Sequence, residues 1–548
     1  MNQLDWFVIF LYIAIILVLA YYIRKSQHDT DDYYLAGKRM RWWQSGLSTM
    51  ATQLSAISFV SAPAFVAIKK GGGLKWLSYE FGVPLGLILV MAVIIPYLHR
   101  GKYISIYEYL EKRFDIGTRT LVSILFQIGR GLATAVAVLA GGIVLSSALS
   151  ISIASAIILI GVITIIYDML GGISMVIISD VLQMAIIFAG ILLCGGVALY
   201  FADWNFAWSV LSPERITILD FSNWGFSQEG KYSFWPMTIG GIFLYASYYG
   251  CDQSQVQREL TVKNVDEVRK SLLINALGRF PLVFLYCMIG VFVGALFVHP
   301  ESLTQIASVM NTDSESIRHT LQNDPDRMIP FFILTYLPHG LIGFIFVAIM
   351  AALMSSLDSG LNSLSASTMV DIYKRFLKPD ADERHYLIAS RAITCFWGIF
   401  CIAIALIFAS SAEAIRQTTI VLINAVGSML YGPILATFVL GMMTKWAKSS
   451  AVKFGVIAGI IANLYLWQFT SISWLWWNFA GFLTSFIVTA LLSTRKMLKE
   501  VETVDELLHS PEEPSLINWS LIYKLIIVYF FFIIFICYLI ENILRKVV

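Results

Sequence analysis

Long apolar runs separated by short polar stretches recur down the whole chain, and they predict helices spaced like successive membrane crossings. An α-helix rises 1.5 Å per residue, so about 20 apolar residues cover the roughly 30 Å hydrocarbon core of a bilayer. Runs of this kind fall at about residues 4–23, 45–68, 77–98, 121–149, 152–170, 176–201, 236–254, 271–298, 329–354 (continuing as helix to about 366), 388–409, 418–443, 451–469, 474–493 and 520–543. These fourteen runs predict an all-α integral membrane protein. The first run begins beside Asp5, has no basic stretch before it and lacks a small-residue cleavage pattern, so it reads as an anchor and not a leader.

Composition agrees with the pattern. Of 548 residues, 58% are hydrophobic and only 14% charged, against about 25% charged in soluble proteins. A net charge of +2, with no basic cluster interleaved with aromatics, offers nothing to nucleic acid. The six cysteines lie in or beside apolar runs without metal or disulfide spacing and read as small buried hydrophobes. The seven histidines are scattered, mostly over loops, and no soluble segment is long enough for a catalytic domain, so an enzyme is not expected.

Loop charge sets the orientation. With the N-terminus outside, the inner loops carry most of the basic residues, from Arg24, Lys25, Lys38, Arg39 and Arg41 to Lys445, Lys448, Lys453, Arg495, Lys496 and Lys499. The two longest outer loops, about 202–235 and 299–328, hold more acids than bases. The expectation is a multi-pass plasma-membrane protein with both termini outside.

The polar exceptions inside the runs carry the chemistry. In the run at 45–68, Ser48, Thr49, Thr52, Gln53, Ser55 and Ser58 precede Ser61-Ala-Pro63. In the run at 236–254, Pro236 and Gly240-Gly241 precede Tyr245-Ala-Ser-Tyr248-Tyr249-Gly250. Each interrupted run opens a set of five, at 45–201 and 236–443, and paired broken helices in matching places point to an inverted-repeat transporter. The implied organisation is an extra helix and inner loop at 1–44, a first repeat at 45–201, an outer loop at 202–235, a second repeat at 236–443 and extra helices at 444–548. At 100° per residue, Ala352, Ser355, Ser356 and Ser359 share an arc of about 100° on one helix face. Two readings fit that stripe: close helix packing with Ser bonding its own backbone, or hard oxygen ligands for a small cation.

Seven segments in order resemble the sodium/solute symporters, the family of the sodium/glucose, sialic acid, iodide and monocarboxylate cotransporters. They are Asp32–Lys38, Gln53–Phe59, Tyr107–Phe114, Leu170–Ser174, Ser179–Gln183, Asp252–Arg258, and Ala351–Ser363 with Asp371-Ile-Tyr373. The resemblance covers about residues 1–445. It implies a five-plus-five inverted-repeat fold of the leucine-transporter type with extra helices, carrying a small solute together with a co-transported sodium ion across the bilayer.

It also implies site residues. A first sodium is expected between the broken first core helix and the eighth, on the carbonyls of Ala51, Leu54 and Ala352 and the hydroxyls of Ser355 and Ser356. A second sodium in some relatives uses an acid matching Asp180 with hydroxyls matching Ser355 and Ser359. Here Asp358 stands where some relatives have Ser, about 110° from the centre of the stripe, and is a further candidate ligand. The solute is expected at Gln53, Ser55, Ser58, Glu80 and Tyr245, with Tyr248 as an inner gate. Ser58 and Val83 leave the sugar-reading set of a sugar-binding relative incomplete, and Tyr107–Phe114 is closer to the iodide, monocarboxylate and vitamin branch, which suggests a small anion. Arg130 and Arg279, within runs, offer a counter-charge or pair with acids. Proton coupling through Asp180 or Asp358 is the alternative within transporters, and a channel or sensor the alternative outside them. Substrate, stoichiometry and oligomeric state are left open.

Overall fold

The computed structural model describes residues 1–54, 56–149, 151–227, 230–410, 413–493 and 515–546. Among them the secondary structure is helical throughout, with no strand. Among the described residues, ten helices are long and apolar enough to cross a membrane, and one bent pair adds another span. The chain runs α1 (Gln3–Ile23), α2 (Thr30–Leu35), α3 (Trp42–Gln53), α4 (Ala56–Ala67), α5 (Leu74–Arg100), α6 (Ile116–Leu149) and α7 (Ile153–Phe201). The second half runs α8 (Gly241–Cys251), α9 (Gln253–Glu259), α10 (Val265–Val298), α11 (Leu341–Ser367), α12 (Glu383–Ser410) and α13 (Glu413–Met443). Three further helices follow: α14 (Ser449–Phe469), α15 (Trp474–Leu492) and α16 (Trp519–Leu544).

Two of the expected spans lie in α7. Its 49 residues would reach more than twice the hydrocarbon thickness if straight. They do not, because Gly172 leaves helical geometry at φ 54°, ψ −153°. That conformation is open to glycine and closed to other residues. A Cβ here would also lie 2.5 Å from the carbonyl oxygen of Tyr33 on α2. The Tyr33 hydroxyl in turn lies 3.4 Å from the carbonyls of Asp168 and Met169, at the end of the first half of α7. Gly172→Ala therefore carries a backbone cost of about 1–3 kcal/mol in addition to the clash. A clearly lower melting temperature in detergent is expected, and melting at the wild-type temperature would show that the junction is not strained.

The run expected from 329 does not begin there as one helix. Met328–Tyr336 is a separate short helix, and α11 starts only at Leu341. Pro338 has no N–H to continue a helix, and Gly340 sits at φ 88°. The start of α11 is capped from elsewhere. Buried Asp5 of α1 accepts from Gly340 N at 2.6 Å, Gly343 N at 3.1 Å and His339 Nδ1 at 2.9 Å. A carboxylate at a helix N-terminus satisfies orphan donors and faces the positive end of the dipole.

Burial ranks the helices. In the apolar stretch of α11, 83% of residues are buried, against 22% in α1, α12 and α16. The helix bearing the hydroxyl stripe thus forms the centre of the molecule, and those three helices form its lipid-facing rim. The loop before α8 is tied to α4. The Arg215 guanidinium donates to the carbonyls of Val66 at 3.1 Å, Ile68 at 2.8 Å and Lys69 at 3.0 Å, where α4 runs out of its own donors.

Candidate functional site

The bent pair is α3 and α4, whose axes differ by 53° at a break following Leu54, which has φ −87°, ψ 73°. In an unbroken helix the carbonyls of Ala51 and Thr52 would accept from the N–H groups four residues on. Here Leu54 N reaches back to Ala51 O at 2.9 Å, and both carbonyls meet the stripe on α11. Ser355 Oγ lies 3.2 Å from Ala51 O and 3.2 Å from Ala352 O. Ser356 Oγ lies 3.2 Å from Thr52 O and 3.2 Å from Ala352 O. Three carbonyl and two hydroxyl oxygens therefore converge between α3 and α11, with Ser355 and Ala352 fully buried. Such neutral, hard oxygens suit a small monovalent cation. Four of the five expected ligand residues are brought together directly. Leu54 forms the cap of α3 itself, and Thr52 joins the cluster although the sequence reading assigned it no ligand role.

Toward the start of α3, Ser45, Ser48, Thr49 and Thr52 occupy one face at helical spacing and stitch it to α9 and α11. Thr49 Oγ1 donates to Glu259 at 2.6 Å, and Thr52 Oγ1 and Ser359 Oγ are 2.8 Å apart. Burial pushes the Glu259 carboxyl up to about 7. Ser48 donates to Asp180 at 2.5 Å. The pair Asp180 and Ser359, expected to receive a second sodium, is bridged by the fully buried Arg258. Its Nε donates to Ser48 at 2.8 Å and lies 3.6 Å from Asp180, and its Nη2 donates to Ser359. Asp358 points elsewhere: Tyr167 donates to it at 2.6 Å. Arg258 ends a motif quoted above, yet spacing alone cannot reveal that it meets residues about a hundred positions away on α11.

The expected solute residues gather beside the break, at α5, α8 and α10. Glu80 and Arg279 form a buried bidentate pair at 3.1 and 2.9 Å, and Tyr245 reaches Glu80 at 3.4 Å. The Tyr249 hydroxyl donates to Asn275 at 3.2 Å, and the buried Gln53 Nε2 has no hydrogen-bond partner. Tyr248 sits further along α8. Its ring lies 5.2 Å from the guanidinium carbon of Arg130 and 6.0 Å from the ring of Tyr431, and its hydroxyl accepts from Gln255 at 3.0 Å. Arg130 pairs with Asp252. Ser58 is half-buried on the first turn of α4, and Ser55 lies outside the described residues.

A helix broken at its middle, its carbonyls turned toward a buried hydroxyl stripe, with aromatic and paired charged groups alongside, defines an ion-coupled membrane transporter of the five-plus-five inverted-repeat type. A profile of the Sodium:solute symporter family matches residues 33–459, and the chain belongs to that family. It is 29% identical to the sodium/sialic acid symporter NanT of Aliivibrio fischeri, over 94% of this chain and 98% of that one. It is 30% identical to the sodium/sialic acid symporter SiaT of Proteus mirabilis (84% and 89%) and 28% identical to the sodium/glucose cotransporter of Vibrio parahaemolyticus (85% and 85%). Among solved structures, the substrate-bound, outward-open state of a Na+-coupled sialic acid symporter superposes with a TM-score of 0.76 at 25% identity. That likeness covers 91% of this chain and all of the other.

Proposed function

We propose that this chain imports a small organic anion together with sodium by alternating access, with both termini outside the plasma membrane. The observation that carries the reading is the meeting of Ser355 and Ser356 with the freed carbonyls of Ala51 and Thr52. Sodium held there, with Leu54 and Ala352 completing the shell, ties α3 to α11 and orders Gln53 on the adjoining turn. A charge entering down a membrane voltage releases about 2.3 kcal/mol per 100 mV, and the concentration gradient adds to it. An anionic solute is supported by two guanidinium groups within reach of the aromatic residues on α8, the half-buried Arg130 paired with Asp252 and the buried Arg279 paired with Glu80, either of which an anion could share. It is supported further by relatives named for sialic acid, iodide and monocarboxylates. The test is uptake into proteoliposomes across a panel of sialic acid, monocarboxylates, inorganic anions, neutral sugars and amino acids. Accumulation of an anion under a sodium gradient is expected; accumulation under a proton gradient alone would overturn sodium coupling, and uptake of neutral sugars only would overturn the anion.

The gate gives a sharper expectation. Tyr248 packs on Arg130 and Tyr431, so its ring covers the end of the solute region nearest Asp252. Tyr248→Phe keeps the ring and should retain partial transport, whereas Tyr248→Ala should abolish coupled accumulation. Sodium binding should survive in both. Wild-type tracer accumulation by Tyr248→Ala would show that this ring does not close the pathway.

A further inference from the structure

The rim helix α16 buries one narrow stripe, running from Trp519 through Ile526, Phe530 and Cys537 to Glu541. It packs on α5 and α10, the two helices that carry Glu80 and Arg279. An apolar helix can lie on such a rim without polar contacts, yet polar groups of α16 reach other elements at both ends and in the middle. Trp519 Nε1 donates to Asp266 Oδ1, in the first turn of α10, at 2.7 Å. Ten residues on, the Tyr529 hydroxyl donates to Leu277 O of α10 at 2.8 Å. Near the far end, Glu541 Oε2 accepts from Ile218 N and Leu219 N of the loop before α8, each at 2.9 Å.

The last two of these contacts end beside the buried pair. The residue four beyond Leu277 is Pro281, which has no N–H, so Leu277 O lacks the donor a continuous helix would give it. Leu277 is an exposed residue of a spanning helix, where hydrocarbon offers no water in place of that donor. The Tyr529 hydroxyl supplies it. Arg279 stands between Leu277 and Pro281, on the stretch of α10 where a proline allows a bend. The other partner is reached through the loop. Fully buried Ser78 Oγ donates to Ile218 O at 2.8 Å, and Ile218 is a residue whose N–H Glu541 holds. Ser78 lies two residues before Glu80 in the 3-10 segment Leu74–Phe81 that opens α5.

We propose that Tyr529 and Glu541 are positioning residues for solute recognition, through which α16 sets the Glu80 carboxylate and the Arg279 guanidinium in register. A bidentate pair needs both planes aligned. Here each partner sits on an irregular stretch of backbone, a 3-10 segment and a proline site, whose direction an outside contact can fix. One helix contacts both stretches, so it holds the pair as a unit. The inference rests on the anionic-solute reading above for what the pair recognises.

Tyr529→Phe keeps the ring and removes the donor. Glu541→Ala removes the acceptor, whereas Glu541→Gln keeps one acceptor oxygen. In proteoliposomes with sialic acid as the probe, Tyr529→Phe and Glu541→Ala should raise the KM several-fold at an unchanged half-saturating sodium concentration. Glu541→Gln should lie close to wild type. A lower maximal rate at wild-type KM in both variants overturns the proposal, because it reports only fewer intact transporters. Melting of the purified full-length protein in detergent is a second measurement that needs no solute. The drop in melting temperature caused by Tyr529→Phe should shrink to about half or less in the Glu80→Gln, Arg279→Gln background, since coupled residues are not additive and independent ones are. An equal drop in both backgrounds shows that α16 supports the fold without acting on the pair, and overturns the proposal. Absence of sialic acid uptake by wild type tells against that solute alone, and the melting comparison then decides the positioning.

Discussion

Replacing Ser355 and Ser356 together with Ala should leave a folded protein whose uptake needs far more sodium. Each hydroxyl lies 3.2 Å from one α3 carbonyl across the seam and 3.2 Å from Ala352 O of its own helix, and supplies one oxygen to the proposed ion shell. Polar contacts inside membranes are worth roughly 1 kcal/mol each. Two such losses correspond to about a thirty-fold rise in the sodium concentration for half-maximal uptake, since 1.4 kcal/mol is a factor of ten. Removing two hydroxyls takes away little volume, and α11 stays buried on all sides, so thermal stability should change little. A sodium dependence equal to wild type in the folded double variant would remove these residues from the ion site.

The second large effect concerns Glu80 and Arg279. Their bidentate pair is buried, at 1% and 7% exposure, so neither charge has water to fall back on. Taking away one partner of such a pair leaves an uncompensated charge and costs about 3–5 kcal/mol. Glu80→Gln or Arg279→Gln alone should therefore express poorly and melt early. The double variant Glu80→Gln, Arg279→Gln removes both charges and should recover folding. Uptake is the deciding readout, because the pair also touches Tyr245 in the solute region. A refolded double variant with wild-type KM for the solute would make the pair structural only; loss of uptake with sodium binding intact places it in solute recognition.

The crossings were legible in the sequence because a span is a local property, namely enough consecutive apolar residues to cover a fixed thickness. The broken helix was legible for a related reason: hydroxyl-rich residues before Ser61-Ala-Pro63 mark a helix that cannot run straight through lipid. The start of α11 was not, since Leu337-Pro338-His339-Gly340 interrupts an apolar run without lowering its hydropathy much. The ion seam was half legible. The α11 stripe follows from periodicity, but which α3 carbonyls face it depends on where the backbone turns, and Thr52 proved to be one of them. Arg258 was hidden for a further reason: it sits near the end of an apolar run, where a charge reads as a solvated cap. Only packing reveals that α3 and α11 close over it.

The grip of Arg215 on the carbonyl end of α4 has a practical use. The loop that carries it is fastened to the half-helix beyond the ion seam by these hydrogen bonds, so a change in the tilt of that helix should carry the loop with it. Glu214, the exposed neighbour of Arg215, is a natural place for a fluorescent or spin label. Five of the six native cysteines are buried and Cys395 is half-buried, so a thiol introduced at 214 would be the readily labelled one. Such a reporter would follow the opening and closing of the transporter in real time from a surface loop, without altering any residue that holds ion or solute.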